Sequence, residues 1–450
     1  MKLEVEIISK ENIRPSSPTP SHLRSFKLSL LDQLIPSPYA PTVLFYNPPK
    51  SDTSNLSEVP KRLELLKQSL SETLTQFYPL GGKIKDDYLS IECNDEGANF
   101  VIAHVKNCTL SEFLAHPVLT LLHKFLPIPN SETHVTNIQV TIFECGGIAI
   151  GMCISHRILD GAALCTFLKG WTERARGCEQ LTQPKFFIAP SLFPTNDSWL
   201  REISLDMWGS LLKQGKWVTR RFVFKNSHIA TLKDQTLGKT KNSYSPTRLE
   251  MVSAMLWKGL MDVSKEKFGT KRPSLLTHLV NLRRRIDEAL CPQHAMGNLL
   301  WLVATNHMSD DEVVLEDLVN KLRNAISRVD VEFVEELRGD KGRLMMHETL
   351  KTIRRTGSND GVEYFGFNSW CNFGFYEADF GWGKPTWVTC VGLTGPVFFN
   401  FIILVDTRLG DGIEAWVTLD EQDMDHLVAN PELLNYVTVD PSPLAMNSVA

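Results

Sequence analysis

The hydrophobic period of this chain switches from two to helical across one short turn, and that switch constrains the architecture more than any other feature. Ile138, Val140 and Ile142 alternate with polar neighbours, Gly146-Gly147 turns the chain, and Ile148, Ile150, Met152 and Ile154 alternate again. That is the pattern of a β-hairpin between Val135 and Ser155. From Gly161 the apolar positions become Leu164, Leu168 and Trp171, one stripe of a helix. His156 therefore sits where a strand hands over to a helix.

The same mixture recurs along the chain. Val5 and Ile7 predict an opening strand, ended by the prolines of PSSPTP. Leu63, Leu66, Leu70, Leu74 and Phe77 keep helical spacing until Pro79, Gly81 and Gly82 stop it. Residues 178–217 hold Pro184, Pro190 and Pro194 with little sustained periodicity, and read as a crossing segment. Beyond it the spacing predicts a helix from Arg248 to Val263, a strand from His278 to Arg283, an amphipathic helix from Glu312 to Val329, and then strands to the end. Val397 to Val405, interrupted by Asn400, reads as a buried strand. A length of 450 residues exceeds one ordinary core. The expectation is an α/β fold of mixed sheets with flanking helices, in two lobes: 1–177, a crossover at 178–217, and 218–450.

Charge and cysteine usage narrow the chemistry. With 47 basic and 52 acidic residues, a net charge of -5 gives no field for gripping nucleic acid or an anionic membrane. An anionic ligand must meet a local basic patch. The start, MKLEVEIISKENIRP, lacks the build of a signal peptide, and no apolar run approaches the roughly 20 residues of a membrane helix. Nine cysteines without a C-x-x-C pair predict reduced core thiols in the cytoplasm and no metal site.

Two constellations could carry chemistry. In HRILDG, 156–161, a histidine near neutral pKa could take a proton from a hydroxyl. Asp160, one helical turn on, would orient the ring or anchor the turn through a basic partner. Spacing alone does not separate this from a satisfied histidine at a strand end. NHMSDDE repeats the interval at His307 and Asp311, but in a polar stretch that reads as a helix start capped by Ser309 or Asp310. In ADFGWGKP, 378–385, Gly381 and Gly383 around Trp382 imply a tight loop with a pinned indole and a tied-down Asp379. The DFG triplet does not make a kinase, because 223 residues separate His156 from Asp379. No G-x-S-x-G elbow supports a serine hydrolase.

Taken together, HRILDG in mid-chain and DFGWG near the C-terminus resemble the plant BAHD acyltransferases. LSLLDQ (28–33), FYPLGGK (77–83), FECGGIAI (143–150), VNLRRR (280–285), MGN (296–298) and SWCNFGFYEADFGWGKP (369–385) follow in the family's order over nearly the whole chain. Within the family the chain looks most like the vinorine synthase-like alkaloid O-acetyltransferases and the capsaicinoid synthases. The resemblance implies two chloramphenicol-acetyltransferase-like lobes with a channel between them, and a monomer. It implies acetyl-CoA or another acyl-CoA as co-substrate, a small-molecule alcohol as acceptor and no permanently bound cofactor.

The resemblance also assigns roles. His156 would be the general base and Trp382 with Asn368-Ser369 the oxyanion donors, although the family commonly has Thr where Asn368 stands. Arg283 would pair with Asp160, and Asp379 would hold its loop. Thr247, Arg248, Arg284 and Arg285 match positions near the donor, with Ser253 and Lys258 following on the same predicted helix. Amide formation on an amine is the enzymatic alternative, and a non-catalytic thioester-binding relative the alternative of another class.

Overall fold

In the computed structural model the chain is described over residues 3–35, 39–48, 55–85, 89–128, 134–195, 198–213, 216–237, 245–308, 313–359, 361–390, 397–398 and 400–445. Two large mixed sheets organise it. The first has the order Val5–Ile13, Ala98–Val105, Thr136–Ile142, Ile148–Ser155, Tyr39–Tyr46, Trp387–Thr389. The second runs Leu300–His307, Ser274–Asn281, Glu363–Ser369, Phe401–Asp406, Gly412–Asp420, Trp217–Lys225, Thr438–Val439.

The hairpin read from the period of two is present, with Ile142 opposite Ile148 and Thr136 opposite Ile154. Its strands are buried along their whole length, so polar Thr136, Asn137, Gln139 and Thr141 lie inside the protein beside the apolar positions. Asn137 and Gln139 are kept there by hydrogen bonds, Asn99 Nδ2 to Asn137 Oδ1 at 3.1 Å and Gln139 Nε2 to the Lys124 carbonyl at 2.8 Å. The helix Val59–Gln76 buries Leu66, Leu70 and Leu74 against Leu164, Leu168 and Trp171 of the helix Gly161–Ala175. Burial of side chains this size stabilises by about 1.5–3 kcal/mol each. The Trp171 indole donates to Ser69 Oγ at 3.0 Å, which ties the two helices together.

The last strand of the first sheet comes from the far end of the chain. Trp387, Val388 and Thr389 pair with Phe45, Leu44 and Val43, and Thr386 N donates to the Phe45 carbonyl at 2.7 Å. The Trp387 ring stacks on Phe45 at 5.5 Å and on Trp416 of the second sheet at 5.7 Å. Between the sheets, Arg221 lies over the Trp387 and Trp416 rings and pairs with Glu414 at 3.0 Å, both side chains fully or almost fully buried.

Several expectations are corrected. Residues 178–217 hold a helix, Ser198–Leu211, whose Leu200, Met207, Trp208 and Leu211 face Leu30, Leu31 and Leu34. The prolines upstream masked that spacing. The C-terminal region is not all strand: Val331–Arg338, Gly342–Gly357 and Glu421–Ala429 are helices, with Met346, Leu350 and Ile353 on one buried face. The helix expected at Glu312–Val329 spans Leu315–Ser327, and Val314 at its N-cap makes no side-chain cap. Ser309, Asp310 and Asp311 lie outside the described residues.

The helix starting at Arg248 runs to Phe268 and is ended by Gly269 at φ 77°. The strand expected at His278–Arg283 is Ser274–Asn281, after which Leu282–Arg285 form a short 3-10 turn capped by Asn281. The 397–405 stretch is two strands, Val397–Phe398 and Phe401–Asp406, broken at Asn400, whose φ of 50° takes the chain out of the sheet.

Candidate active site

His156 follows the last residue of the strand Ile148–Ser155, and its ring is only part-buried. A turn, not a helix, separates it from Asp160. Asp160 is extended, at φ -88° and ψ -177°, and caps the helix Gly161–Ala175 by accepting from Ala163 N at 2.9 Å. The expectation of one helical turn between the two is therefore corrected: the helix begins only after the motif's aspartate.

Asp160 turns to the second half of the chain. Its Oδ2 accepts from Arg283 Nη1 at 2.7 Å and from Leu299 N at 3.1 Å. Arg283 also donates Nε to the Ala295 carbonyl at 3.0 Å and Nη2 to the Gly297 carbonyl at 2.9 Å. One guanidinium thus ties the histidine-bearing turn to the loop that carries MGN. Gly161 serves close approach. A Cβ there would stand 2.8 Å from the Phe373 ring and 3.4 Å from the Trp370 ring.

The histidine itself is held by residues that sequence reasoning left without a role. His156 Nδ1 lies 3.1 Å from Asn298 Oδ1. Asn298 Nδ2 donates to the His156 carbonyl at 2.7 Å and to Asp32 Oδ1 at 2.8 Å. The His156 carbonyl can only accept, so the amide's nitrogen must face it and its oxygen must face the ring. The ring proton then sits on Nδ1. Nε2 is left as the basic nitrogen, without a partner among the described residues.

Asp32 is fully buried and accepts from Asn298 N at 2.7 Å, Ser29 N at 2.8 Å and Ser29 Oγ at 2.6 Å as well. Burial pushes its carboxyl above the ordinary value, and the hydrogen bonds from Ser29 and Asn298 pull against that. The S-x-x-D spacing in LSLLDQ signals the capping box that Ser29 and Asp32 form. Nothing in it signals a partner 266 positions away.

A cavity of about 490 Å³ opens beside this turn. Ala162, Arg283, Ser369, Cys371 and Phe373 line it together with Thr247, and Arg248, Arg284 and Arg285 add the basic patch that the composition required; His156 is not itself part of the lining. Thr247 caps the helix Arg248–Phe268 in a box with Glu250. Arg248 reaches Asn226 Oδ1 at 3.1 Å. Arg285 donates Nε to the Val329 carbonyl at 2.5 Å, and burial lowers its pKa from the ordinary value. Arg284 is exposed and unpaired among the described residues. Asn368 and Ser369 end the strand Glu363–Ser369, and both side chains are partly exposed.

Six expected site residues, Ser253, Lys258, Asp379, Gly381, Trp382 and Gly383, are not brought to this place. Ser253 is buried in the interior of the second sheet's helical layer. Lys258 lies ten residues beyond Arg248, roughly 15 Å along the helix, and pairs with Glu432. Trp382 stacks on Phe380 at 5.5 Å, under the Arg62 guanidinium at 5.0 Å. Phe380 in turn packs on Trp171 at 4.9 Å. Trp171 is ten residues, roughly 15 Å, along the helix from Gly161, so the Trp382 indole faces the helix's far half and not His156.

Asp379 holds that loop, accepting from Gly381 N at 2.8 Å and Gly383 N at 2.9 Å. The glycines sit at φ 105° and 107°, which other residues rarely adopt. The Asp379 carbonyl accepts from Arg176. Trp370, twelve residues earlier, is the indole beside the His156 turn. It lies within a segment that carried the family resemblance, yet its side-chain position is set by contacts between the two halves that spacing does not encode.

A family model described as the transferase family matches residues 3–434. The chain is similar to a limonoid 7-O-acetyltransferase of Citrus sinensis, 45% identical over 98% of this chain and 100% of the relative. It is also similar to the crystal structure of vinorine synthase, an enzyme of Rauvolfia serpentina, with a TM-score of 0.80 and 35% identity over 96% of this chain and 98% of the other. The fold extends to F. sporotrichioides TRI101, crystallised with coenzyme A and T-2, at a TM-score of 0.64 and 17% identity over 92% and 99% of the two chains. With the asparagine-held histidine, the Asp160–Arg283 tie and the two mixed sheets already in view, these matches establish that the chain belongs to the BAHD transferase family.

Proposed function

We propose that this protein transfers an acetyl group from acetyl-CoA to a hydroxyl of a polycyclic plant metabolite, with His156 as general base. The observation that carries this reading is the ring geometry: Asn298 fixes the proton on Nδ1 and leaves Nε2 as a lone pair. In the step we infer, Nε2 takes the acceptor's hydroxyl proton as the oxygen bonds to the thioester carbonyl carbon. The tetrahedral intermediate then breaks its carbon–sulfur bond, and the same nitrogen returns the proton to the thiolate. Holding both substrates at one ring is itself a large part of the acceleration.

Ser369, in the cavity wall, and Asn368 beside it are the donors we assign to the oxyanion. Trp382, by its position, takes no part in that role, and Ser253 and Lys258 take none in thioester binding. Asp160, Arg283 and Asp379 act by holding the turn and the loop. Thr247, Arg248, Arg284 and Arg285 take the coenzyme A phosphates.

The acceptor we favour is a limonoid-type alcohol rather than an alkaloid, because the limonoid enzyme is 45% identical and vinorine synthase 35%. We assign the lobes to 1–177 and 218–450 with the crossover between, the strand Trp387–Thr389 being lent by the second lobe to the first sheet. We also assign a cytoplasmic monomer. Among the described residues no helix is long and apolar enough to cross a membrane.

Labelled acetyl-CoA offered with limonoid alcohols, alkaloid alcohols and amines tests the proposal. A labelled limonoid ester is the expected product. An amide as the main product would replace hydroxyl by amine, and an absence of thiol release across the panel would refute catalysis.

A further inference from the structure

The capping box at Ser29 and Asp32 buries a carboxylate that no cation meets. Among the described residues the partners of the Asp32 carboxylate are Ser29 and Asn298 alone. Oδ1 accepts both N–H groups of Asn298, at 2.7 and 2.8 Å, and Oδ2 accepts the N–H and the hydroxyl of Ser29, at 2.8 and 2.6 Å. Four donors match the four lone-pair positions of an ionised carboxylate and leave none for a carboxyl proton. A buried charge without a countercharge costs stability. Ser29 alone could cap the short helix, so the turn itself does not call for that charge.

The loop that brings Asn298 to Asp32 is built for close approach. Gly297 stands at φ 103°, and a Cβ there would lie 2.7 Å from Ala189 Cβ and 3.6 Å from Asp32 Oδ1. Arg283, which donates to the Gly297 carbonyl, has Asp160 as its own charge partner.

A countercharge appears only during turnover. In the resting ring Nδ1 carries the proton and faces Asn298 Oδ1 at 3.1 Å. When Nε2 takes the acceptor's proton, the ring becomes a cation. Asn298 stands between the two charges, its N–H groups on Asp32 and its oxygen on the ring. A carboxylate at the N–H end makes the amide oxygen more negative, because linked hydrogen bonds polarise one another. Asp160 does not serve this purpose, since its oxygens are taken by Arg283, Leu299 N and Ala163 N. No proton crosses the amide: Nδ1 keeps its own throughout, and Nε2 gains one and returns it.

We propose that Asp32 is a positioning residue for the ester-forming step, its carboxylate polarising the Asn298 amide so that the His156 cation is stabilised as it forms. The proposal rests on the general-base reading above and adds a charge from outside the HRILDG and DFGWG motifs.

A double-mutant cycle on kcat, with acetyl-CoA and a limonoid alcohol as substrates, tests it in the full chain. Asp32→Asn keeps the shape and removes the charge; kcat is expected to fall about tenfold with KM for acetyl-CoA within about twofold of wild type. In an Asn298→Ala background the same change is expected to alter kcat by less than about twofold, because the link is already cut. Losses that multiply in the double variant, or a kcat within about twofold of wild type in Asp32→Asn, overturn the proposal. Asp32→Glu keeps the charge and stands in if the asparagine variant does not fold. Its kcat is expected to lie within about threefold of wild type, and a folded glutamate variant as slow as Asn298→Ala overturns the proposal too. Undiminished turnover in His156→Ala removes the general-base reading, and the proposal falls with it. Loss of turnover there, with Asp32→Asn at the wild-type rate, removes the proposal alone.

Discussion

Replacing Asn298 by alanine tests the mechanism at the residue that sets the histidine's protonation. The amide makes three contacts: 3.1 Å to His156 Nδ1, 2.7 Å to the His156 carbonyl and 2.8 Å to Asp32 Oδ1. Without it the ring has no protein partner among the described residues, so it can rotate and carry its proton on either nitrogen. Loss of one such hydrogen bond is worth about 1–3 kcal/mol. Since about 1.36 kcal/mol is tenfold in rate, kcat should fall roughly 5- to 150-fold.

KM for the thioester should hold, because Asn298 is not part of the cavity wall. Stability should fall too, since two buried acceptors each lose a donor, at a combined cost of about 2–5 kcal/mol. Steady-state thiol release at saturating acceptor, alongside thermal unfolding, reads both effects. A kcat within about twofold of wild type, or a rise in KM with kcat intact, would refute the tautomer argument.

Asp160→Asn keeps the helix cap but leaves the Arg283 guanidinium without its charge partner, and unfolding stability should drop by about 3–5 kcal/mol, measured by urea titration. His278 makes stability depend on acid: above its ordinary 6.5 both states are neutral, and as pH falls toward about 4 only the unfolded chain takes the proton. Stability should therefore decline by roughly 3 kcal/mol across that window, a slope that His278→Leu removes and that unfolding curves at several pH values would reveal. Trp382→Phe should cost about 1 kcal/mol of stability through the weakened contact with Arg62. Its kcat should stay unchanged, whereas a loss near 100-fold would put an oxyanion donor there after all.

Local signals in the sequence were reliable where one element's own periodicity decided its structure. The hairpin to Ser155, the helix at Gly161 and the buried stripe of Val59–Gln76 all follow from residues close in the chain. The helix Ser198–Leu211 was hidden because three nearby prolines dominate a window that averages over them. At the site, motif and resemblance point to His156, Asp160 and Arg283. Asn298 and Asp32 carry no such signal, because their meeting joins two segments 266 residues apart. Trp382 is an indole between glycines, yet those glycines shape a loop that Asp379 and Arg176 hold in place, while Trp370 stands by the histidine turn. A motif's composition reports its local geometry, and only the packing of the halves reports what it faces.

The pairing of Trp387–Thr389 with Val43–Phe45 has a consequence for biosynthesis. During translation the early portion of the chain leaves the ribosome with the Tyr39–Tyr46 edge bare, and more than 340 further residues must be made before its neighbour arrives. A bare, apolar edge invites pairing with other nascent chains. A truncation near residue 217 should therefore yield an insoluble fragment, and supplying the remaining portion as a second polypeptide should rescue it only if both are produced together.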